Sequence, residues 1–230
     1  VGLIEADTVI ASAKRYLFDV TVNGAPVLAL GIGAVFTPED RRGHGLAARL
    51  IEDMIDDGRQ RGCGVAVLFS EIGAAYYERL GFTVVPRTLV PVDVPRSRRG
   101  APGTMVRSLE PADLPGLADI AAKHEAASDF ALRRTADQIE FSLTRHRLRA
   151  GLGPAGLRQL EVFVSEEGHK PVSFVVISRG PSGVVLEDCG DRDPAGARIG
   201  AMLEALAERE PSHPDRTLRA WLPQGIQPPQ

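Results

Sequence analysis

The run from Pro26 to Phe82 constrains the fold more than any other part of this 230-residue chain. An apolar segment, Pro26–Phe36, leads through Thr37-Pro38-Glu39-Asp40-Arg41-Arg42-Gly43-His44-Gly45 into Leu46–Arg61, where Leu46, Ala47, Leu50, Ile51, Met54 and Ile55 recur at helical spacing. Gly62 stands where a C-terminal cap glycine belongs. Val65-Ala66-Val67-Leu68-Phe69 is a short buried strand, and a second helix is predicted over Ile72–Leu80, stopped by Gly81. Strand, helix, strand is a crossover unit, so the two strands lie parallel with a right-handed connection. Upstream, Tyr16–Val22 followed by Asn23-Gly24 predicts an antiparallel hairpin, and Gly31 and Gly33 predict a bulge or splay in the return strand. Phe82–Val85 and Thr88–Val94 read as two more strands. The class is α/β (α+β), a mixed, mostly antiparallel sheet with a central parallel pair.

Charge and composition exclude several functions. The net charge of −3 gives no basic field, so neither nucleic acid nor an anionic membrane is expected as a partner. No apolar run reaches the about 18 residues of a spanning helix, and no signal-peptide pattern opens the chain. Cys63 and Cys189 share no short spacing and read as buried thiols of a reducing cytoplasm. The chain opens at Val1, which leaves room for an upstream piece.

The segment 95–104 is a linker of Pro, Gly and Arg between a first domain, 1–94, and a second, smaller α/β unit, 105–223, with a tail at 224–230. In the second unit helices are predicted over Asp113–Ala127, Thr135–Ala150 and Ala195–Glu208. Its strands are Leu160–Ser165, Pro171–Ser178, Val184–Asp188 and Leu218–Leu222. His124, His146 and His169 have no metal-ligand spacing, Asp188, Asp191 and Asp193 read as an acidic loop, and no metal is expected.

The chemistry concentrates in the loop before the first helix. A helix N-terminus offers unpaired backbone N–H groups, and glycines let an anion approach them; Arg41, Arg42 and His44 add positive charge. The simplest reading is a glycine-capped surface turn. Gly43-His44-Gly45-Leu46-Ala47-Ala48 also fits a dinucleotide fingerprint, with Glu71 as ribose ligand, which would make the chain an NAD(P)-dependent oxidoreductase. That fingerprint needs its first glycine directly after the strand, whereas here 37–42 intervene.

Arg42-x-x-Gly45-x-Ala47, after a strand and Pro38, resembles the diphosphate-binding signature of the GNAT superfamily of N-acetyltransferases. Tyr76-Tyr77-Glu78-Arg79-Leu80-Gly81-Phe82 is similar to that family's second motif and stands where the family has it. The resemblance covers residues 8–94. It implies an acyl-CoA N-acyltransferase-like fold with acetyl-CoA as co-substrate. Val35 and Phe36 would bond the pantetheine arm through their main chain, and Arg42, Gly43, His44, Gly45, Leu46 and Ala47 would hold the diphosphate. Ser70 stands where the family often has Asn against the pantetheine. The family's first strand and two helices, which wall the acceptor site, are missing before residue 8. Val106–Leu114 resembles the opening of the same fold, but Cys189–Pro194 has no Arg-x-x-Gly-x-Gly loop, so the second unit reads as a degenerate, non-cofactor-binding copy.

The resemblance implies acetyl transfer by direct attack of a primary amine, of a small molecule first and of a peptide or protein second. Tyr77 would be the general acid and Glu71 the first candidate base, with a water relay as its rival. The alternative is a CoA-binding regulatory or scaffold module without turnover. Acceptor identity and oligomeric state are left open by the sequence.

Overall fold

The structure, a computed structural model, describes residues 1–70, 72–85, 87–94, 105–126, 128–152, 159–180, 183–209 and 217–223. Glu71, the expected 95–104 linker and the 224–230 tail lie outside the described residues. In chain order the elements are β1 (Gly2–Glu5), β2 (Thr8–Val22), β3 (Ala25–Phe36), α1 (Leu46–Gln60), β4 (Cys63–Leu68), α2 (Ala75–Glu78), β5 (Arg87–Asp93), β6 (Val106–Ser108), α3 (Leu114–Glu125), β7 (Phe130–Leu132), α4 (Ala136–Leu152), β8 (Gln159–Glu167), β9 (Lys170–Gly180), β10 (Gly183–Asp191), α5 (Ala197–Glu208) and β11 (Thr217–Pro223). They form two compact units, Val1–Val85 with Ser128–Arg133, and Pro86–Ala127 with Arg134–Gln230. Each is mixed α/β.

The first unit has one five-stranded sheet, β1-β2-β3-β4, with β7 also on β2. Asn23 and Gly24 both take positive φ, 50° and 77°, which is the turn that suits the twist of a tight hairpin and few other residue pairs accept. β3 runs parallel to β4, and α1 makes the crossover. The helix buries Leu50, Ile51 and Met54 against Ala11 and Ala13 of β2 and Leu30 and Ile32 of β3. Each such side chain contributes about 1.5–3 kcal/mol of burial free energy. Gly58 lets α1 lie close to β3, since a Cβ there would meet Leu30 at 3.1 Å. Gly62, at φ 83°, ends the helix as its cap.

Gly31 and Gly33 do not make the bulge. A Cβ at Gly31 would stand 2.7 Å from the Phe18 ring, and one at Gly33 would stand 3.3 Å from that of Tyr16. These glycines leave room for two aromatic rings lying across the strand. The bulge falls at Ala34 and Val35, opposite Ala13, with Ala34 at φ 47°.

The second unit is not the smaller one. Its six-stranded sheet runs β5-β11-β10-β9-β8-β6. Here too a strand, a helix and a parallel strand follow one another, as β10, α5 and β11. On one face Met202, Leu203 and Leu206 of α5 pack on Val175, Ile177, Leu186, Leu218 and Ala220. On the other, Leu117 and Ile120 of α3 and Leu143 of α4 cover Val162, Val164 and Phe174.

Two strands go to the other sheet from the one their place in the chain suggests. β5, expected to complete the first domain to residue 94, pairs antiparallel with β11 over its whole length. β7, from between α3 and α4, pairs with Val20–Val22 of β2, extended by Asn23 N–H to Asp129 O at 2.7 Å and Arg133 N–H to Asp19 O at 3.0 Å. Phe82–Val85, read as a strand, has no strand assignment.

Arg107 on β6 donates to both oxygens of Asp113, at 2.7 and 2.8 Å, and to Glu166 at 2.8 Å. The Arg107 hydrogen bonds hold the buried Asp113 carboxyl below its usual range, against the opposing effect of burial. A depressed folded-state pKa contributes stability that is complete above the unfolded value of about 3.9 and is lost as pH falls through the folded one. Asp113→Asn is therefore expected to flatten the acid limb of stability against pH, measured by urea denaturation at pH values stepped down from neutral. An unchanged limb would assign the acid sensitivity to other carboxylates.

Candidate functional site

The site forms where the parallel pair of the first unit comes apart. β3 and β4 stay in register as far as Ile32 and Leu68. Beyond that pair, Gly33 to Phe36 keep β2 as their only strand neighbour among the described residues. The bulge at Ala34-Val35 lies on this stretch, and its left-handed residue is an alanine, a conformation that costs about 1–2 kcal/mol and that gathers at functional sites. The freed edge of β3 thus presents main-chain groups to a ligand that can act as a further strand. Val35 is half-buried there, and Phe36 is exposed.

From this edge the chain enters the loop through Pro38 and a 3-10 turn at Glu39–Arg41. That turn keeps Gly43 well away from the strand end, so the dinucleotide reading lacks its geometry. Arg41 is held by Glu5 at 3.1 Å and stands near Asp40. Arg42 uses its Nε–H on the Thr37 carbonyl at 3.2 Å, which ties the guanidinium across the loop. Arg42, Gly43, His44 and Gly45 are all exposed. Gly45 is the N-cap of α1 at φ 72°, and no side chain caps the helix. Its first-turn N–H groups, at Leu46 and Ala47, therefore face outward from half-buried residues without an internal acceptor among the described residues. Nothing lies within 4 Å of a Cβ built on Gly43 or Gly45, so the approach is open. The residues fit a diphosphate.

Sequence reasoning missed Thr37. Its hydroxyl oxygen is buried at the root of this loop with no hydrogen-bond partner among the described residues. The only signal was its place between Phe36 and Pro38.

The second motif is shorter than its pattern suggests. α2 is a single turn, Ala75–Glu78. In front of it the Ser70 hydroxyl donates to Gly73 O at 2.9 Å and accepts from Ile72 N–H at 3.3 Å, which holds this segment in a turn. Ser70 thus uses its one donor internally, and only acceptor capacity is left for a ligand. Behind α2, Gly81 takes φ 87°, with Gly81 N–H on Glu78 O at 3.0 Å and Phe82 N–H on Tyr77 O at 3.1 Å. This pair of bonds is a Schellman cap, and the hydrophobic contact that accompanies it joins Tyr77 to Phe82, edge to face with centroids 6.1 Å apart. Tyr76 meets Tyr77 at 5.1 Å and lies under Arg79. Burial first, and the neighbouring Tyr77 second, push the Tyr76 phenol up. The motif Tyr77-Glu78-Arg79-Leu80-Gly81-Phe82 is thus a device that fixes one phenol. The Tyr77 hydroxyl makes no hydrogen bond to a described residue.

The second unit offers a contrast. α5 also starts from a left-handed glycine N-cap, Gly196 at φ 67°. There the connection from β10 is only 192–195, and Asp191, 1% exposed, places its carboxylate at the helix start. It accepts from the N–H groups of Asp193 and Arg198, each at 2.9 Å, and from the Arg198 guanidinium at 2.8 Å. At α5 the second helical amide, Arg198 N–H, is thus met by the protein's own carboxylate, where its counterpart at α1, Ala47 N–H, stays open. Among the described residues no group of three His, Cys, Asp or Glu side chains could hold a metal ion.

Residues 1–85 match the family model described as an acetyltransferase (GNAT) domain. A GCN5-related N-acetyltransferase from Kribbella flavida is 19% identical, with a TM-score of 0.70, covering 98% of this chain and 53% of that one. Eis1 from Mycobacterium abscessus is 17% identical with a TM-score of 0.64, covering 98% and 57%. The N-myristoyltransferase of Saccharomyces cerevisiae with bound myristoyl-CoA is 12% identical with a TM-score of 0.56, covering 94% and 61%. The chain spans little more than half the length of these structures, and at such identities the likeness is one of fold. No curated protein matches the chain.

Proposed function

Because residues 1–85 match the acetyltransferase (GNAT) domain model, we propose that the chain transfers an acetyl group from acetyl-CoA to a primary amine of a small molecule in the cytoplasm. One observation carries the reading: the parted end of β3 and β4 leads straight to a helix start whose amides no side chain caps.

Bound acetyl-CoA supplies the activated thioester. The N–H groups from Gly43 to Ala47 hold its diphosphate, with Arg42 and His44 beside them. Val35 and Phe36 pair with the pantetheine arm through their main chain, and Ser70 and Thr37 offer polar atoms nearby. An N–H at the Ala34-Val35 bulge takes the negative charge that grows on the thioester oxygen, where a fixed donor needs no reorganisation. Holding amine and thioester in line supplies much of the rate. Tyr77 donates its phenol proton to the departing sulfur as general acid. Glu71, three residues beyond β4, takes the proton that the amine must lose, directly or through water. The second unit acts as a degenerate copy, because Asp191 lies where a diphosphate would need open amides.

Two measurements test this. A ligand that binds only the folded state stabilises it by about 2.7 kcal/mol at a hundred times its Kd, so acetyl-CoA should raise the melting temperature and NAD should not. Amines offered with acetyl-CoA should then release free thiol. No stabilisation by acetyl-CoA overturns the proposal; stabilisation without thiol release for any amine favours the scaffold reading.

A further inference from the structure

We propose that the second unit carries its own binding site for a small hydroxylated anion, a sugar phosphate or a hydroxy-polycarboxylate, in the cavity between α3 and the β8–β9 turn. The cavity measures about 890 Å³, inside the range of small-molecule sites. It belongs to neither the coenzyme loop nor the tyrosine motif.

Its floor is the Arg107 cluster. One guanidinium is shared by Asp113 and Glu166, and Glu110 is engaged with Asp113 in a reciprocal cap at the start of α3. Glu110, Asp113 and Glu166 line the cavity with this guanidinium and bring acceptor oxygens to it, which suit the hydroxyl groups of a ligand. The mouth has the opposite character. The side chains of Lys123 on α3, and of His169 and Lys170 at the turn, make no hydrogen bond or ion pair with a described residue, and Arg192 shares Glu167 with Arg198. Against them stands one uncommitted carboxylate, Asp119. The free charge at the rim is therefore positive while the floor accepts hydrogen bonds, so a ligand with an anionic end and a hydroxylated body is oriented by both.

The rim is also built rigidly. Gly168 and His169 take φ 57° and 60°, a two-residue hairpin turn that fixes the direction of His169 and Lys170. Gly116 seats α3 directly on the start of β9, since a Cβ there would lie 2.4 Å from the Pro171 ring. Lys123 and Lys170 are thus held on two elements locked together, which reduces the ordering cost of binding.

Citrate and glucose 6-phosphate are the probes, titrated calorimetrically into the full chain, with inorganic phosphate and glucose as partial ligands. The expected result is binding of at least one probe that exceeds both partial ligands and weakens with added salt. Lys123→Ala combined with Lys170→Ala, both at exposed positions, should weaken it at least tenfold with the circular dichroism spectrum unchanged. Arg42→Ala, which alters the other anion-binding loop, should leave it intact. No heat from either probe at about 10 mM, a weaker affinity than most specific sites show, overturns the proposal. So does equal affinity in the double-lysine variant, or a loss confined to Arg42→Ala.

Discussion

Tyr77→Phe is expected to lower the rate of amine acetylation by about 10²–10⁴-fold, the usual range for removing a general acid, while acetyl-CoA binds almost as before. The phenol is held in place from its own backbone outward. Tyr77 is the last residue but one of α2, its carbonyl receives the Phe82 N–H, and its ring meets Phe82 edge-on. Removing one oxygen disturbs none of those contacts, so stability should stay within about 0.5 kcal/mol of wild type. Stopped-flow thiol release at saturating amine reads the effect on turnover, and a separate coenzyme titration reads affinity. A fall in affinity that accounts for the whole loss would make Tyr77 a binding residue, and unchanged turnover would remove it from the chemistry.

The parts of this arrangement that were legible in the sequence are those written in local conformational demand. Asn23-Gly24 announces its turn because few other pairs tolerate two consecutive positive φ angles. The apolar stripe of α1 and the closing Gly62 depend on residues a few positions apart. Gly45 and Gly81 were legible for the same reason, since each takes a left-handed angle beside a helix end.

What was illegible depends on partners distant in the chain. Arg87–Asp93 reads as a strand in either sheet, and only pairing with Thr217–Pro223 decides which. Phe130–Leu132 is too short to signal a strand before Val20–Val22 is there to pair with it. Gly31 and Gly33 looked like breaks in a strand because the rings of Tyr16 and Phe18, which need the space, come from the neighbouring strand. The actual bulge sits on Ala34, a residue with no left-handed preference to betray it, so the feature on which the site depends most had no local mark. The predicted Ile72–Leu80 helix contracts to one turn because the Ser70 hydroxyl claims the segment before it and the Gly81 cap the segment after it.

Asp191 also suggests how to close the loop before α1 on purpose. In the second unit the buried Asp191 carboxylate at the start of α5 accepts from the backbone N–H of Arg198 in the helix and of Asp193 before it. Gly45→Asp brings the same group to the start of α1. Asp and Asn both tolerate the left-handed conformation better than other residues with a Cβ, and the open space around Gly45 admits either. Gly45→Asp and Gly45→Asn should therefore share a stability cost of about 1 kcal/mol and differ in charge alone. A like charge facing the diphosphate costs several kcal/mol, and each 1.4 kcal/mol is tenfold, so Gly45→Asp should weaken acetyl-CoA binding about a hundredfold relative to Gly45→Asn. Raising the salt concentration should narrow the gap, because the loop is exposed and screening reaches it. Equal affinities in the two variants would mean that the diphosphate does not lie at this helix start, whatever Tyr77→Phe does to turnover.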